Sequence, residues 1–266
     1  MGGNGGYIGY DATPKGFGAA PGLWGMRDVY LARRRGTWPG YDPYWSSVIA
    51  LLHMDGADGS TTFTDAAGKR TITRGGSAQI DTAQSQFGGA SGLFAVATQD
   101  YLRFDAHADW NFGSGDFCIE TFLRPASTAG GGGARVFQTA DGDTFSGLLL
   151  YLDAGTNNLI LYAGSTGSSW NLANAVASGS LTTGVWKHVA IERVGSVLSV
   201  YVDGVQQSTT NIGTSALYFN AAHQPIFMGQ SGANRSFDGW GDELRVTKAS
   251  RYKGAFTPPA IAFPER

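Results

Sequence analysis

Residues 186–205 read WKHVAIERVGSVLSVYVDGV and predict three consecutive β-strands. Apolar side chains recur at every second position, which is the period of a strand with two distinct faces. A Gly195-Ser196 turn interrupts the alternation. Asp203-Gly204 then supplies the pair with positive φ that two-residue hairpin turns favour, and Val205 begins the return strand. We therefore expect an antiparallel meander here.

The same short alternating runs, separated by Gly, Asn, Asp and Ser, continue on both sides of this meander. This pattern predicts an all-β fold of two packed antiparallel sheets. Beyond residue 47 we expect helices of one turn at most, because no apolar stripe of period 3.6 with capping residues is found there. The further predicted strands are Ile49–Met54, Thr71–Thr73, Tyr101–Phe104, Phe117–Pro125, Arg135–Thr139, Gly147–Asp153, Leu159–Ala163, Ile226–Gly229 and Gly241–Thr247.

Charge and composition exclude several classes of function. The chain of 266 residues has 19 basic and 21 acidic residues, so its net charge of −2 provides no field that would collect nucleic acid or an anionic membrane. The longest apolar runs, such as Leu148–Leu152, are far shorter than the roughly 20 residues that span a bilayer. The single cysteine, Cys118, permits no internal disulfide and is expected to be a small buried thiol.

Residues 1–47, the N-terminal arm, differ from residues 48–266, the predicted sandwich. The arm holds 11 of the 40 glycines and nine aromatic residues, and five basic against three acidic residues give it a net charge of +2. Ordering 47 residues costs about 47–94 kcal/mol, whereas burying nine aromatic side chains returns about 34–56 kcal/mol. We therefore expect the arm to be completed by a neighbouring molecule; the alternative is that it packs on its own domain.

One short helix is predicted in the arm, over Leu23–Arg35. Pro21-Gly22 precedes it and Gly36 stops it. Arg33, Arg34 and Arg35 either complement the dipole in its last turn or pair with acidic groups of a partner. The arm residues expected to bind that partner are these three arginines together with Tyr7, Tyr10, Phe17, Trp24, Tyr30, Trp38, Tyr41, Tyr44 and Trp45.

Several motifs of the sandwich, in order, carry a resemblance to a known family. They are Leu51-Leu52-His53-Met54-Asp55-Gly56, Phe63-Thr64-Asp65, Phe87-Gly88-Gly89-Ala90-Ser91, Asp100-Tyr101-Leu102, Phe112-Gly113-Ser114-Gly115-Asp116-Phe117, Trp186-Lys187-His188-Val189-Ala190, Tyr201-Val202-Asp203-Gly204 and Gly239-Trp240-Gly241-Asp242-Glu243-Leu244-Arg245. From about residue 48 to residue 264 the chain resembles the concanavalin A-like, laminin-G-like jelly-roll domains common in bacteriophage virion proteins. Arg251-Tyr252 followed by Phe256-Thr257-Pro258-Pro259 is similar to the ending of the phage members, and residues 22–39 resemble a segment that recurs in phage structural proteins.

The resemblance implies a virion structural protein whose arm docks on other virion proteins, and on further copies of this chain, and whose jelly-roll sandwich is displayed at the surface. Capsid decoration and a tail or fibre position both remain open. Assembly in the host cytoplasm would agree with residues 1–20, which lack the basic start and apolar core of a secretory signal. We expect no membrane insertion and no nucleic-acid partner.

The alternative function is a lectin module that binds a glycan or receptor on the host surface. Exposed aromatic rings would stack on sugars and amide groups would bind hydroxyls. For each residue, a purely structural role in a turn or in the core competes with this one. The candidates are Trp110, Trp170, Asn171, Asn174, Tyr218 and Asn234.

Glycosidase activity is the less favoured third hypothesis, so we expect no enzyme. A retaining glycosidase needs two carboxyl groups about 5–5.5 Å apart. The related glucanases carry them as Glu-x-Asp-x-x-Glu on one strand, and that run is absent. Glu120 and Glu192 are the pair that neighbouring strands could bring side by side, although Arg124, Arg193 or Lys187 would explain each as a strand carboxylate. Gly-x-Ser-x-Gly is absent and the four histidines are scattered.

A structural calcium ion is the one cofactor that the resemblance implies. Family members often carry it where an aspartate after the first strand meets the aspartate of the last strand, and Asp55 and Asp242 match these positions, with Asp65 as a third candidate. Carboxylates beside glycine are suitable calcium ligands. The alternative is that Asp55 and Asp65 bond their own backbone turns and that Asp242 pairs with a basic group.

Overall fold

The computed structural model describes residues 7–8, 23–24, 41–129, 132–142 and 145–265, with only the backbone of the first two segments. The chain divides into two units, Met1–Trp45 with Pro264–Arg266 and Ser46–Phe263. Of the arm residues predicted to bind a partner, Tyr10, Phe17, Tyr30, Arg33, Arg34, Arg35 and Trp38 lie outside the described residues.

In the first unit, β1 (Tyr7–Ile8) pairs antiparallel with β2 (Leu23–Trp24), with Tyr7 opposite Trp24. The prediction that a helix begins at Leu23 is therefore wrong. Pairing with β1 supplies backbone partners to Leu23 and Trp24, whereas the first residues of a helix have no such partners for their N–H groups. The remainder of the predicted helix, residues 25–35, lies outside the described residues.

The second unit is a sandwich of two antiparallel sheets, which confirms the predicted fold class. The strands of the seven-stranded sheet, in chain order, are β4 (Ile72–Gly75), β7 (Tyr101–Phe104), β9 (Ala134–Gln138), β10 (Leu148–Leu152), β11 (Asn158–Ala163), β12 (Ala173–Ser180) and β16 (Ile226–Phe227). In the sheet they have the order β12-β11-β10-β9-β16-β7-β4.

The strands of the eight-stranded sheet, in chain order, are β3 (Val48–Leu52), β5 (Gln79–Asp81), β6 (Ser91–Phe94), β8 (Phe117–Pro125), β13 (Lys187–Val194), β14 (Val197–Val202), β15 (Val205–Asn211) and β17 (Gly239–Thr247). In the sheet they have the order β15-β14-β13-β8-β17-β6-β5, and β3 also pairs with β17. β17 contains a bulge between Asp242 and Arg245, and Glu243 lies there at φ 54°. The bulge directs the adjacent Asp242 and Glu243 side chains to separate partners.

Apolar side chains from both sheets form one core. Phe94, Phe117 and Leu244 from the eight-stranded sheet and Phe104 and Phe227 from the seven-stranded sheet are fully buried in it. Complete burial of each such side chain contributes about 1.5–3 kcal/mol. This core is the main source of stability in a chain without disulfides, and Cys118 is buried as predicted.

The predicted hairpin at Asp203-Gly204 is confirmed, with φ of 49° and 74° at its two residues. Gly204 is required for a second reason. A Cβ atom built at this position would lie 1.8 Å from the carbonyl oxygen of Phe256, so the C-terminal segment crosses directly over the turn. The meander and the C-terminal segment are thereby held together.

Helical structure beyond residue 47 is limited to single 3₁₀ turns in the part of the chain that the structure describes, as predicted. These turns are Val96–Thr98 and Ala108–Trp110, and a third, Trp45–Ser47, precedes β3. Among the described residues, no helix is long and apolar enough to cross a membrane.

Candidate functional site

The outer face of the seven-stranded sheet carries a row of aromatic side chains. On β10, Leu148, Leu150 and Leu152 join the core, so the alternate residues Leu149 and Tyr151 project from the opposite face. The register places Leu149 opposite Tyr162 of β11. Tyr151 and Tyr162 consequently stand on the same outer face of neighbouring strands.

A cleft of about 390 Å³ lies on this face. Its volume is at the lower end of the roughly 300–1,000 Å³ that is typical of small-ligand sites. The residues that line it are Gly132, Arg135, Gln138, Phe145, Leu149, Tyr151, Tyr162, Trp170 and Arg235.

The aromatic rings of the cleft form a continuous row. The ring centroids of Tyr151 and Tyr162 are 5.8 Å apart with a 22° interplanar angle, and Trp170 lies 5.4 Å from Tyr162. Phe145 completes the row at 5.5 Å from Trp170. Its side chain is 40% exposed, which is unusual for phenylalanine in the described part of this protein. The row offers ring faces and edges to a ligand rather than to the core.

Two arginines stand beside this row. Arg135 of β9 lies opposite Tyr151 in the sheet, and its guanidinium carbon is 5.6 Å from the Tyr151 ring centroid. The Arg135 backbone N–H donates to the Arg235 carbonyl at 2.8 Å. The side chain of Arg235 crosses Gly132, where an added Cβ atom would lie 3.2 Å from its Cγ. The glycine therefore leaves room for the second arginine at the cleft.

The polar groups of the cleft are able to form hydrogen bonds at neutral pH. Burial, the hydrogen bond with Tyr162 and the nearby Asp153 raise the pKa of Tyr151 to about 12, so its hydroxyl stays protonated. The Gln138 amide donates through Nε2 to the carbonyl of Gly142 at 3.2 Å. Rings, hydroxyls, an amide and guanidinium groups in one cleft suit a ligand that has both apolar C–H faces and hydroxyl groups.

Of the residues predicted for a glycan site, Trp170 lies in the cleft, whereas the prediction for Trp110 is wrong. Trp110 is 3% exposed and belongs to the core, with its ring 5.2 Å from Phe104 and 6.4 Å from Phe137. Its Nε1–H donates to the Asp105 carbonyl at 3.0 Å. Trp110 therefore fills the core beneath a loop and offers no face to a ligand.

The asparagine and tyrosine candidates do not line the cleft. Asn171 closes its own loop, because it accepts from Ser165 N and donates to Ser165 Oγ, both at 2.9 Å. Tyr218 packs against His223 at 5.8 Å between ring centroids. Asn174 is exposed on β12, and the exposed Asn234 accepts from Gln99 at 3.3 Å, next to Arg235.

Sequence reasoning missed the two tyrosines of the cleft. In LLLYL and NLILYA the tyrosines stand among leucines, and this composition indicates buried strands. The signal that finds them is the alternation, since Tyr151 and Tyr162 fall between residues that face the core. Their proximity depends on the register of β10 and β11, which the sequence does not state.

Asp65, one of the three predicted calcium ligands, organises a backbone turn instead. Its Oδ1 accepts from the N–H groups of Leu51 and Ala67, and its Oδ2 accepts from those of Lys69 and Arg70, at 2.7–3.1 Å. Both oxygens are occupied by these donors, as in the alternative weighed from the sequence. Asp65 is therefore not available as a calcium ligand.

Asp242 retains a free carboxylate oxygen. The residue is fully buried at the β17 bulge; its Oδ2 accepts from Gln86 N at 2.8 Å and Phe87 N at 3.0 Å, while Oδ1 has no hydrogen-bond partner. Burial is the main cause that raises the pKa of Asp242 to about 8; the hydrogen bonds from Phe87 and Gln86 oppose the rise, and the negative charges of Glu243 and Asp55 add to it. The sequence also allowed Asp242 to pair with a basic side chain, but Oδ2 is bonded by two backbone N–H groups instead.

Asp55 lies close enough to Asp242 for their charges to interact, and burial raises its own pKa above the usual value. A buried oxygen with no partner and two carboxylates that repel each other fit a cation between them. Among the described residues, no three His, Cys, Asp or Glu side chains are grouped to hold a metal ion. Calcium would consequently need backbone carbonyls and water to complete its usual six to eight oxygens.

Glu120 and Glu192 lie on one face of neighbouring strands, but both are engaged in structural contacts. Burial alone would raise the pKa of Glu120, yet Arg245, His188 and Arg251 hold that pKa well below its usual range. Arg245 Nη2 lies 2.8 Å and His188 Nε2 3.1 Å from the Glu120 carboxylate. The Tyr252 hydroxyl also donates to it.

The other two buried glutamates hold the C-terminal segment. Glu192 accepts from the backbone N–H groups of residues 251–253 at 2.5–2.9 Å, and Glu243 accepts from Phe263 N at 2.8 Å.

The basic residues that the sequence suggested as partners of Glu120 and Glu192 are engaged elsewhere, so this prediction was wrong. Arg193 donates to backbone carbonyls, and Lys187 pairs with Asp203 at 2.6 Å. Arg124 lies over the ring of Trp240 instead.

Three solved structures show the same fold at low sequence identity. The binding domain of Paraclostridial Mosquitocidal Protein 1 has a TM-score of 0.59 and 14% identity, covering 78% of this chain and 50% of that one. A structure of botulinum neurotoxin type C, which depends on interaction with two ganglioside molecules to enter cells, gives 0.57 and 11%, with 78% and 49% covered. Domain 4 of AbnA, a GH43 extracellular arabinanase from Geobacillus stearothermophilus, in complex with arabinotriose, gives 0.53 and 16%, with 83% and 98% covered.

This chain spans about half the length of the two toxin chains. No curated protein matches it by sequence. The pattern of the family Laminin_G_3, described as the concanavalin A-like lectin/glucanases superfamily, matches residues 96–262, which is more than half of the chain. The protein therefore belongs to the concanavalin A-like lectin/glucanases superfamily, and residues 46–263 form its lectin-like β-sandwich.

Proposed function

We propose that the sandwich binds a glycan in the cleft of the seven-stranded sheet, and that the protein is a non-enzymatic component of a bacteriophage particle, to which the arm attaches it. The observation that carries the first part is the row of contacting rings from Tyr151 to Phe145. Sugar rings present apolar C–H faces that stack on aromatic rings, and their hydroxyls need polar partners such as Gln138.

The structural neighbours support this choice of ligand class. Domain 4 of AbnA is in complex with arabinotriose, and botulinum neurotoxin type C depends on gangliosides. These ligands belong to those proteins, and function does not follow from the fold alone. The cleft of this chain supports the proposal because its aromatic row is built from its own residues.

Replacement of Trp170 or Tyr162 by alanine is expected to weaken glycan binding at least tenfold. Truncation of a central aromatic contact in a binding site commonly costs about 1.4–2 kcal/mol or more, which corresponds to a tenfold to thirtyfold change in Kd. A glycan array of the whole protein identifies the ligand, and isothermal titration calorimetry with that ligand measures the change.

Val185 provides the matched control. It is an exposed apolar residue, 43% accessible, and does not line the cleft, so Val185→Ala should leave the Kd unchanged. The melting temperature of each variant shows that the sandwich is folded. Unaltered affinity in both Trp170→Ala and Tyr162→Ala would contradict binding in this cleft.

The proposal that the protein is not an enzyme rests on the positions of its glutamate and aspartate side chains. Glu120, Glu192 and Glu243 are buried and engaged with Arg245, His188 and the C-terminal backbone. No Asp or Glu is among the described residues that line the cleft, whereas a glycosidase needs two at its cleavage point. Release of reducing sugar from the bound glycan would contradict this part.

Attachment to a phage particle is supported by the sequence of the arm and by the resemblance of residues 22–39 and 251–259 to phage structural proteins. Several copies of the protein would attach to one particle during assembly in the host cytoplasm, and each sandwich would face away from the particle. A capsid decoration protein would show its arm crossing shell subunits, while a tail fibre component would be trimeric about one axis. Sandwich-mediated adhesion to a host glycan is compatible with either position.

The double variant Trp24→Ala and Trp38→Ala is expected to be lost from particles, because large aromatic side chains dominate the buried area of an interface. The amount of protein in purified particles, measured by immunoblot, tests this. Thermal unfolding of the free variant should still show the transition of the sandwich. Incorporation at the normal level would refute attachment through the arm.

Calcium at Asp55 and Asp242 completes the proposal. The ion would neutralise two carboxylates that otherwise repel each other beside a buried, unbonded oxygen. It would then have a structural role, joining the end of β3 to the bulge of β17.

A further inference from the structure

The loop that carries Trp170 is tied closed by its own residues. It connects β11 to β12 through residues 164–172, and residues 166–169 are exposed. An exposed loop is commonly mobile, because few buried contacts restrain it. Here, however, Asn171 accepts from the backbone N–H of Ser165 and donates through Nδ2 to the Ser165 hydroxyl, both at 2.9 Å. These two hydrogen bonds join the residues on either side of the exposed turn.

The backbone of the loop is also closely packed. The Leu172 N–H donates to the Ala163 carbonyl at 3.0 Å, which extends the hydrogen bonding of β11 and β12 into the loop. A Cβ atom added at Gly164 would lie 2.6 Å from the Ser169 carbonyl oxygen, so the two sides of the loop are in direct contact. This close approach leaves the backbone beside Trp170 little room to move.

Tyr218 supports the same loop from a distant part of the chain. Its backbone N–H donates to the Gly164 carbonyl at 2.8 Å. Its ring lies against Gly167, where an added Cβ atom would be 2.6 Å from Cζ and 2.7 Å from the hydroxyl oxygen of Tyr218. Glycine at position 167 therefore leaves the space that the Tyr218 ring occupies. Tyr218 holds the loop although it does not line the cleft.

The fixed loop determines where the Trp170 ring stands. The ring centroid lies 5.4 Å from that of Tyr162 and 5.5 Å from that of Phe145, so Trp170 is the link between the strand tyrosines and the exposed phenylalanine. Trp170 is the chain neighbour of Asn171, so release of that residue would free the indole as well. A side chain that is already in its binding position loses less conformational entropy when a ligand binds.

We infer that Asn171 and Tyr218 are positioning residues of the glycan site, which fix the loop so that the Trp170 ring stands beside Tyr162 before a sugar binds. This inference rests on the proposed function and adds residues that set the affinity without lining the cleft. It also gives a role to two residues that the sequence suggested as direct contacts of the glycan.

Replacement of Asn171 by alanine is expected to weaken glycan binding about fivefold, because the freed indole must then be ordered on association. Asn171→Asp should stay within about twofold of the wild type, since its carboxylate accepts from Ser165 N and the Ser165 hydroxyl turns to donate. Asn158→Ala, an exposed asparagine at the opposite end of β11 and outside the cleft lining, is the matched control. Calorimetry with the tightest-binding oligosaccharide of the glycan array, titrated as the free sugar, measures each Kd.

The ring of Tyr218 is tested in the same way. Tyr218→Ala removes the ring under Gly167 and is expected to weaken binding about threefold, because the loop loses one of its supports. Tyr218→Phe keeps the ring and should bind as the wild type does. The melting temperature shows that each variant is folded.

A spectroscopic readout separates positioning from direct contact with the sugar. The chain has seven tryptophans, so 5-fluorotryptophan labelling gives seven fluorine signals, and the signal missing from Trp170→Phe identifies Trp170. In the free protein, this signal should move towards its value in the unfolded chain in Asn171→Ala and Tyr218→Ala. It should keep its wild-type position in Asn171→Asp, Tyr218→Phe and Asn158→Ala.

The outcomes separate this inference from the proposed function. A weaker Kd with an unchanged Trp170 signal in Asn171→Ala would refute positioning, because Asn171 would then contact the sugar itself. Unchanged affinity in both Asn171→Ala and Tyr218→Ala would refute it as well, and in either case Trp170→Ala still weakens binding and the glycan site stands. If no glycan binds, or if Trp170→Ala binds as the wild type does, the proposed function and this inference are both refuted.

Discussion

Replacement of Glu120 by glutamine is expected to lower the free energy of unfolding by about 3–5 kcal/mol, the range for removing one partner of a buried ion pair. Glu120 is fully buried, and its Oε1 accepts from Arg245 Nε and Nη2 at 3.0 and 2.8 Å. Arg251 Nε lies 3.3 Å from the same oxygen. The amide keeps the shape but removes the charge that balances two buried guanidinium groups, so the folded state loses more than one hydrogen bond.

Urea unfolding at pH 7, followed by tryptophan fluorescence, measures the loss. Asp58→Asn is the matched carboxylate-to-amide control, because Asp58 is exposed and bonds only Thr82 among the described contacts. It should change stability by less than about 0.5 kcal/mol. A loss below about 1 kcal/mol in Glu120→Gln would contradict the importance assigned to this ion pair.

The same pair predicts how the wild type responds to acid. The pKa of Glu120 is well below the unfolded value of 4.5, so the stability it contributes is fully present above pH 4.5. As the pH falls below that value, the unfolded chain takes up a proton that the folded chain refuses, and stability is lost. Glu120→Gln should lack this part of the acid response.

Strand positions were well predicted where the signal is local. The predicted strands Phe117–Pro125 and Tyr101–Phe104 have the same bounds as β8 and β7, and β14 fills the interval between the turns predicted at Gly195-Ser196 and Asp203-Gly204. Their period of two, the turn residues and the proline at the end of β8 are all contained in the strand or its neighbours. Jelly-roll class followed from motif order rather than from any one strand.

Strands that depend on a distant partner were not predicted. β5, β6 and β12 are short or rich in Gly, Ala and Ser, and β12 reads ANAVASGS. Such sequences have little intrinsic strand preference and become strands because a neighbour supplies the hydrogen bonds. The strand at Leu23–Trp24 is the same case, since Tyr7–Ile8 lies 16 residues earlier.

The candidate site shows where sequence reasoning ends. Trp170 could be predicted as a binding residue because it is a tryptophan among polar residues in a loop. Trp110 has the same kind of sequence context, yet it is buried in the core. The two tryptophans differ in whether their loop folds over the sheet, and no local sequence pattern predicts this. Tyr151, Arg135 and Arg235 meet only through the register of β9 and β10 and through a backbone bond to a distant loop.

Asp242 is expected to make the stability of the protein depend on both pH and calcium. Its pKa of about 8 in the folded state exceeds the unfolded value of 3.8. Without calcium, the stability that Asp242 itself contributes is therefore fully present below pH 3.8 and is lost as the pH rises towards 8, by up to about 1.4 kcal/mol per pH unit. Asp242→Asn should remove this component and be more stable than the wild type at pH 8.

Calcium is expected to reverse the loss at pH 8, since an ion that binds only the folded state at 100 times its Kd adds about 2.7 kcal/mol. The melting temperature of the wild type should rise with calcium and fall with chelator, while Asp242→Asn responds to neither and Asp58→Asn responds as the wild type does. The effects of calcium binding and of proton uptake by Asp242 can be separated. If chelator leaves the wild-type melting temperature unchanged, the calcium proposal is wrong, and a pH response that disappears in Asp242→Asn would then belong to proton uptake by a carboxyl group that the bulge of β17 keeps buried.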